Sequence, residues 1–202
     1  DVRVWDSHGN DLVGHPGELV CANAFPSMPI GFWNDPDRSK FRSAYFSRYE
    51  NVWWHGDWTK ETVNGGFIIY GRSDATLNPG GVRIGTGEIY QQVEAFLDIA
   101  EAVATVLRRD GDERIVLFVK MQPGKTLTSE LIEQIKLRLR TNCSPRHVPA
   151  YVVSVPDLPK TLSGKISEIA VRNALIGTDI GNVGALANPI CLDFFSNWAK
   201  NI

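Results

Sequence analysis

The chain has 202 residues, of which 43% are hydrophobic and 22% charged, so its composition is that of an ordinary soluble protein with one large or two modest domains. A formal net charge of −2 supplies no general field for nucleic acid or an anionic membrane, so any anion site must be local. No apolar run approaches the ~20 residues of a membrane span.

Residues 1–72 predict short strands joined by long loops. Alternation at Val2 and Val4 indicates a first strand, and Glu18–Ala22, Asn51–Trp54 and Gly66–Tyr70 are the next candidates. The loops are too numerous for an independent core, although five of the six tryptophans lie here. We therefore expect an incomplete, β-rich end of a larger domain.

One helix is expected between these strands. Asp35 can cap it, Pro36 suits its first turn, and Asp37–Phe46 would form its body.

Residues 73–176 predict a compact α+β domain. Thr86 would cap a helix, and Ala102–Leu107 and Ile115–Val119 would form a hairpin through the turn dipeptide Asp110-Gly111. The apolar face of the first helix would contain Ile89, Val93, Phe96 and Leu97.

A second helix, a strand and a third helix complete this domain. The second helix has Leu131, Ile135 and Leu139 at a spacing of four, and it precedes a strand at Tyr151–Val155 and a helix at about Ser167–Leu175. Residues 177–202 form an extension that begins too glycine-rich for a helix. Its apolar side chains, Leu192, Phe194, Phe195 and Trp198, indicate that it docks on a core.

Leu158–Ile166, here called the lysine loop, contains Lys165 at the end of a segment rich in Pro, Ser and Gly. It lacks the first glycine and the hydroxyl of a Walker phosphate loop, so it is not that motif. From these residues alone, a solvated turn and a functional lysine stay equally open.

Tyr70–Ile89 is the densest candidate site. Its glycines, including Gly81, allow close backbone approach to a ligand, while Arg72 and Arg83 suit phosphate oxygens. Asp74 lies where a hinge between two domains would turn. A glycine-rich linker with solvated arginines is the alternative.

Two weaker features complete the candidates. Asp57 would follow a strand that ends at Trp54, where a carboxylate can accept two sugar hydroxyls or simply close a turn. His55 is interpreted as a packing residue. Arg140 ends a helix, where it would cap the helix or bind a phosphorylated ligand.

In this order, the motifs of the chain resemble the carboxyl-terminal third of the acyl- and aryl-CoA synthetase superfamily, the adenylate-forming enzymes. The order is more specific than any one motif. The motifs are Gly17-Glu18-Leu19, Gly56-Asp57, Gly71-Arg72-Ser73-Asp74, Gly81-Val82-Arg83-Ile84 and Pro159-Lys160-Thr161-Leu162-Ser163-Gly164-Lys165. Within the superfamily, Pro29–Asp35, Trp53-Trp54 before His55, and Gly184–Pro189 resemble the acetoacetate-using members in particular.

The resemblance implies a two-step reaction in which a carboxylate and ATP give an acyl-adenylate and pyrophosphate, and coenzyme A then displaces AMP. It implies that Asp57 binds the ribose hydroxyls, that Arg72 helps to hold the nucleotide and that Asp74 is the hinge. Lys165 would be the catalytic lysine of adenylation.

The resemblance also implies a coenzyme A site. After the small domain rotates, Gly81 would lie beside the pantetheine channel, Arg83 near a phosphate and Arg140 against the nucleotide phosphates of CoA.

The chain lacks this family's Ser/Thr/Gly-rich phosphate loop, its aromatic-Thr-Glu segment and the acyl pocket. These belong to a larger amino-terminal portion, which would also hold most of ATP and Mg²⁺. The chain begins without Met and directly in a strand pattern. We therefore expect part of a longer enzyme, inactive in adenylation on its own and with no metal ligands of its own.

Three widely spaced cysteines argue against a disulfide framework or zinc site and favour a reducing, cytoplasmic location.

The resemblance implies that the activity is ligation of acetoacetate to CoA, in lipid and ketone-body metabolism. An acetyl- or propionyl-CoA synthetase and a non-catalytic, stand-alone module of the same fold are the alternatives.

Overall fold

A computed structural model of the chain describes residues 1–109 and 112–202. It contains two compact units, Asp1–Asp74 and Ala75–Ile202. Strands and helices occur in both units, so the predicted α+β class is confirmed.

The first unit is built on an antiparallel sheet in which each strand pairs with the next one along the chain. Its strands are β1 (Val2–Trp5), β2 (Pro16–Cys21), β3 (Trp53–Glu61) and β4 (Phe67–Arg72), in that order. The predicted strand at Asn51–Trp54 was wrong in its extent. Residues 55–61 continue it, because they pair with β2 on one side and β4 on the other.

A single helix, α1 (Ser39–Tyr45), packs its Phe41 ring among the aromatic side chains of this unit. Tyr45 stacks on Trp53 with ring centroids 3.7 Å apart. The helix begins two residues later than predicted, because Arg38 has a left-handed backbone with φ of 58°. Pro36 therefore precedes the helix, and Arg38 rather than Asp35 occupies the cap position. The Asp35 carboxylate still accepts from the first-turn amides of Lys40 and Phe41.

The second unit is built on a three-stranded sheet, β5 (Ile99–Arg109), β6 (Asp112–Met121) and β7 (Tyr151–Ser154). β5 and β6 are the antiparallel hairpin of the prediction, with longer strands; its turn, Asp110-Gly111, lies outside the described residues. β7 lies parallel to β6, which requires a crossover connection. Helix α3 (Ser129–Asn142) provides it.

Two pairs of helices cover the two faces of this sheet. They are α2 (Thr86–Val93) and α3 (Ser129–Asn142) on one face, and α4 (Glu168–Ile176) and α5 (Leu192–Lys200) on the other. Along β6, Ile115 and Leu117 face the first pair, while Val116 and Phe118 face the second. Burial on both faces explains why this strand is uniformly apolar rather than alternating.

Three details of the second unit differ from the prediction. Thr86 is the first residue of α2 rather than its cap, and the amide of the preceding Gly85 donates to Glu88 at 3.3 Å. Leu97 lies beyond the end of α2 and is 87% exposed. The extension contains a helix, α5, and its Leu192 and Phe195 are buried against the sheet, so the predicted docking is confirmed.

The described residues contain no helix long and apolar enough to cross a membrane. In the same ranges, no three His, Cys, Asp or Glu side chains converge in a way that could hold a metal ion. Cys21, Cys143 and Cys191 are free thiols.

Candidate functional site

Asp57 and Arg72 are direct cross-strand partners on β3 and β4. The nearest guanidinium nitrogen of Arg72 lies 3.6 Å from the Asp57 carboxylate and also donates to the His55 carbonyl at 2.9 Å. The imidazole Nδ1 of His55 contacts the other Asp57 oxygen at 2.5 Å. Asp57 therefore lies within the strand rather than at its end, and its side chain is only 15% exposed.

His55, Asp57, Arg72 and Asp74 together form what we call the Asp57 cluster. Its last member, Asp74, approaches the Nε of Arg72 at 3.4 Å. His55 is half exposed, so its interpretation as a packing residue was wrong; it is a polar partner of Asp57. The cluster presents carboxylate acceptors and a guanidinium donor fork on one short stretch of sheet, which suits a ligand carrying both hydroxyls and a phosphate.

Gly56 is required for the geometry of this cluster. Its φ of 82° is a conformation that L side chains rarely adopt, and a Cβ added there would lie 2.6 Å from a guanidinium nitrogen of Arg72. The backbone between His55 and Asp57 can therefore lie directly against the arginine only because position 56 has no side chain.

Sequence reasoning missed the buried support beneath the cluster. Glu18, only 1% exposed, pairs with Arg48 at 3.1 Å and accepts hydrogen bonds from Trp54 at 2.8 Å and from the Ser73 hydroxyl. Ser73 adjoins both Arg72 and Asp74, so this buried carboxylate fixes the backbone that carries them. The signal available was a Glu flanked by apolar residues in a predicted strand, which must find a partner when buried.

In the second unit, the glycine-rich segment forms a closed loop. Leu77 and Ile84 exchange two backbone hydrogen bonds of 2.9 and 2.8 Å, and both side chains are buried. Gly81 and Arg83 are exposed on the loop that this bridge closes. The loop is thus anchored at its base and open to ligand at its tip.

Arg140 lies in the last turn of α3 and is exposed, as a phosphate-binding side chain requires. The turn that follows α3 reaches the glycine-rich loop, because a Cβ on Gly80 would lie 3.2 Å from the guanidinium of Arg146. It also contacts α2, since His147 Nε2 is 3.4 Å from Glu88. The three predicted CoA-binding residues therefore belong to segments of one compact unit, and Arg146 adds a fourth candidate.

The lysine loop is a tight hairpin. The amide of Thr161 donates to the Lys165 carbonyl at 2.8 Å, that of Gly164 donates to the Thr161 carbonyl at 2.8 Å, and Lys160 bridges to Ile166. Gly164 makes the turn with a φ of 85°. Ser167 then caps α4 through the amide of Ala170. The second arm thus leads directly into a helix.

The two lysines of this loop differ in their surroundings. Lys160 is paired with Glu101 of β5 at 2.6 Å, whereas the exposed Lys165 side chain makes no hydrogen bond or ion pair with any residue that the structure describes. A cation at the end of a rigid hairpin, without an internal counter-ion, is available to an anion brought from outside the unit. Both open interpretations, a solvated turn and a functional lysine, agree with this geometry.

A charged cluster lies at the base of the loop. Lys120 donates to Asp157 at 2.7 Å and lies 3.9 Å from Glu101. The hydrogen bond from Lys120 lowers the pKa of Asp157, and Asn188 lowers it further, while the same bond raises the pKa of Lys120. Burial, followed by the charge of Asp157, raises the pKa of nearby Cys191 to about 11.

Residues 89–165 match the model of the AMP-binding enzyme C-terminal domain. The chain is 54% identical over 195 residues to an acetoacetyl-coenzyme A synthetase of Rhizobium meliloti strain 1021, and 42% identical over 198 residues to an acetoacetyl-CoA synthetase of Xenopus tropicalis. These matches cover 96% and 97% of the chain. Over almost its whole length the chain is therefore similar to acetoacetyl-CoA synthetases, and residues 89–165 have the pattern of the C-terminal domain of AMP-binding enzymes.

The fold gives the same result. The solved acetoacetyl-CoA synthetase of Streptomyces lividans covers 100% of the chain with a TM-score of 0.90 and 42% sequence identity. The chain spans 30% of the length of the two curated relatives and 31% of that solved chain. It therefore corresponds to a carboxyl-terminal portion of these relatives, as the resemblance predicted.

Proposed function

We propose that this chain is the carboxyl-terminal part of an ATP-dependent acetoacetate:CoA ligase. The observation that carries the proposal is the match of almost the whole chain, at 54% identity, to a protein named acetoacetyl-coenzyme A synthetase. Its substrates would be acetoacetate, ATP and CoA. We further propose a cytoplasmic enzyme of lipid and ketone-body metabolism, since acetoacetate is a ketone body.

In the first step, a carboxylate oxygen of acetoacetate attacks the α-phosphorus of ATP, giving acetoacetyl-adenylate and pyrophosphate. Asp57 would accept hydrogen bonds from the ribose hydroxyls, and Arg72, already oriented by His55 and Asp74, would hold the nucleotide. Lys165 would neutralise charge as the two anionic groups converge. Its lack of an internal partner among the described residues supports this role, because no existing ion pair must be broken.

In the second step, the thiol of CoA attacks the acyl carbonyl, forming the thioester and releasing AMP and a proton. Asp74 would be the hinge that removes Lys165 and presents the coenzyme A residues. Gly81 would lie beside the pantetheine, while Arg83 and Arg140 would bind phosphates. The exposed, anchored loop of Gly81 and Arg83 supports this assignment.

The remaining parts of the reaction are assigned to segments that the relatives contain outside the matched region. These would bind the ATP phosphates, Mg²⁺ and the acyl group, so this chain on its own would be inactive in adenylation.

The proposal is tested on the full-length protein with ATP, Mg²⁺ and CoA. Acetoacetate should give AMP, pyrophosphate and acetoacetyl-CoA in equal amounts, at a kcat/KM well above those for acetate and propionate. A preference for acetate or propionate would contradict the substrate assignment, and absence of turnover with all three acids would contradict the ligase. The chain of 202 residues, tested alone, is the matched negative control.

A further inference from the structure

A segment of the carboxyl-terminal extension runs antiparallel to the first arm of the lysine loop. We call residues 185–188 the tail segment. The amide of Leu162 donates to the Ala185 carbonyl at 3.0 Å, the amide of Ala187 donates to the Lys160 carbonyl at 2.8 Å, and Thr161 bridges to Leu186. The arm at 160–162 is therefore the middle of three extended segments, with the Lys165 arm on its other side.

Asn188 completes this pairing with its side chain. Its Oδ1 accepts the amide of Lys160 at 2.8 Å, while its Nδ2 donates to the Asp157 carboxylate at 2.6 Å and to the Leu158 carbonyl at 2.8 Å. One amide group thus connects three positions at the start of the loop. Only a carboxamide offers an acceptor and two donors in this arrangement.

The groups that hold Asn188 are themselves fixed. Asp157 is paired with Lys120 of β6, and Leu158 is fully buried. On the extension, Leu186 and Leu192 are buried in the core formed with α4 and α5. The tail segment therefore attaches the lysine loop to the sheet and to α5, which are both fixed by packing in the core.

The other side of the first arm is held by the second arm of the hairpin. The amide of Thr161 donates to the Lys165 carbonyl, and the amide of Ser167 donates to the Pro159 carbonyl at 2.9 Å. Ile166, in the second arm, packs against the core and also borders an open cavity of about 440 Å³. The first arm is therefore held between the second arm and the tail segment.

We propose that Asn188 and the tail segment are a brace that positions Lys165 for the adenylation step. Asn188 is a positioning residue: it acts on the lysine only through the first arm of the loop. This inference rests on the proposed function of Lys165 in adenylation. It extends that function to a segment 23 residues further along the chain.

The brace should affect one half-reaction more than the other. Lys165 is needed only when the carboxylate meets the α-phosphate, and a displacement of about 1 Å in such a group can cost on the order of 100-fold in rate. Thioester formation from a supplied acyl-adenylate does not use the lysine. Loss of the brace should therefore lower kcat of adenylation, with little change in the KM for ATP.

The test compares Asn188→Ala and Asn188→Asp with Asn197→Ala in the full-length protein. Asn197 is an exposed amide on α5 of the same extension, and its side chain makes no hydrogen bond to the described residues of the loop. Asn188→Asp keeps the size of the side chain but places a carboxylate oxygen against Asp157 and the Leu158 carbonyl. Acetoacetate-dependent ATP–pyrophosphate exchange, thioester formation from acetoacetyl-adenylate, and amide hydrogen exchange are measured for each variant.

Both Asn188 variants should lose about 10- to 100-fold in exchange rate, keep thioester formation within about twofold, and lose protection at the Lys160 and Leu162 amides. Asn197→Ala should match the wild type. Wild-type exchange in Asn188→Ala would overturn the proposal, as would equal loss in both half-reactions together with a lowered melting temperature. If the wild type shows no acetoacetate-dependent exchange, the proposed function fails, and the protection of these two amides alone decides whether the brace exists.

Discussion

The charged side chains of the two candidate sites differ in whether they have partners within the structure. In the Asp57 cluster of the first unit, every charged member contacts another, and the buried Glu18 network fixes the backbone beneath them. In the lysine loop of the second unit, the backbone is fixed equally well, but the Lys165 side chain has no partner among the described residues. This is the difference we expect between groups that bind a ligand throughout a reaction and a group that contacts the ligand in only one step.

This contrast follows from the chemistry each group is proposed to perform. A site that binds ribose gains from preorganised acceptors, because ordering them beforehand removes an entropic cost of binding. A cation needed in only one of two steps gains from having no permanent counter-ion, since an internal pair would compete with the phosphate. Variants at the two sites should therefore fail in different ways.

The largest effect is expected for Lys165→Ala in the full-length protein. Loss of this charge should lower acetoacetate-dependent ATP–pyrophosphate exchange by about 100- to 1,000-fold and largely spare thioester formation from supplied acyl-adenylate. Lys200→Ala, which removes an exposed lysine from α5 of the same unit, is the control. Equal loss of both half-reactions in Lys165→Ala would remove the distinction between the two sites.

Asp57→Asn should weaken the binding of ATP. Replacing a carboxylate that accepts hydroxyl hydrogen bonds costs about 1.5 to 3 kcal/mol, so the KM for ATP should rise about 10- to 100-fold. Steady-state kinetics at varied ATP checks this, with Glu50→Gln, an exposed carboxylate of the same unit, as the control. A fall in kcat at unchanged KM would instead place Asp57 in the chemical step.

Comparing Gly56→Ala with Gly65→Ala separates the cost of backbone strain from the effect of displacing Arg72. Gly56 and Gly65 have similar positive φ values, 82° and 78°, but only at Gly56 would a Cβ meet a neighbour within 4 Å. Both alanine variants should lose about 1 kcal/mol of stability from backbone strain. Only Gly56→Ala should also weaken ATP binding, because it displaces the guanidinium. Thermal unfolding and ATP titration of both variants test this, and equal ATP affinities would contradict it.

Much of the second unit was predictable because its signals are local. The spacing of Ile135 and Leu139 predicted α3. A helix was predicted from about Ser167, close to the start of α4, and a strand was predicted at Ile115–Val119, within β6. The extent of β3 in the first unit was not predictable, since its residues 55–61 alternate poorly and one of its two partner strands, β2, is distant in sequence. That error placed Asp57 at a strand end.

The residues of the candidate sites also differ in whether local sequence could identify them. Lys165 could be selected by the resemblance of its own loop, although Lys160 in the same loop looks equivalent in sequence and is distinguished only by its pair with Glu101. Asn188 could not be selected, because the glycine-rich stretch before it has no periodicity. An Asn-Pro dipeptide marks a turn without indicating its partner, and the resemblance of Gly184–Pro189 to acetoacetate-using members does not point to the lysine loop. The roles of all these residues remain predictions.

A smaller, pH-dependent effect is expected at the base of the lysine loop. The hydrogen bond from Lys120 lowers the pKa of Asp157, so this carboxylate stabilises the fold above its unfolded pKa, near 4, and the contribution is lost as pH falls through its folded value. Lys120→Met should therefore raise the pKa of Asp157 and be destabilising at pH 7 but much less so near pH 2. Titration by NMR and denaturant unfolding at both pH values measure this; a destabilisation independent of pH would contradict it.

The smallest effect concerns Cys191, which lies beside the same carboxylate. With a pKa of about 11, roughly one thiol in 1,000 is ionised at pH 8, and only the thiolate is alkylated. Iodoacetamide should therefore modify Cys191 more slowly than Cys21 and Cys143, which are similarly part-buried thiols. Asp157→Asn should accelerate the reaction at Cys191 alone, because it removes a charge that raises that pKa. Peptide mapping by mass spectrometry gives the three rates, and Cys191 reacting fastest in the wild type would show that the base of the loop opens more readily than this structure indicates.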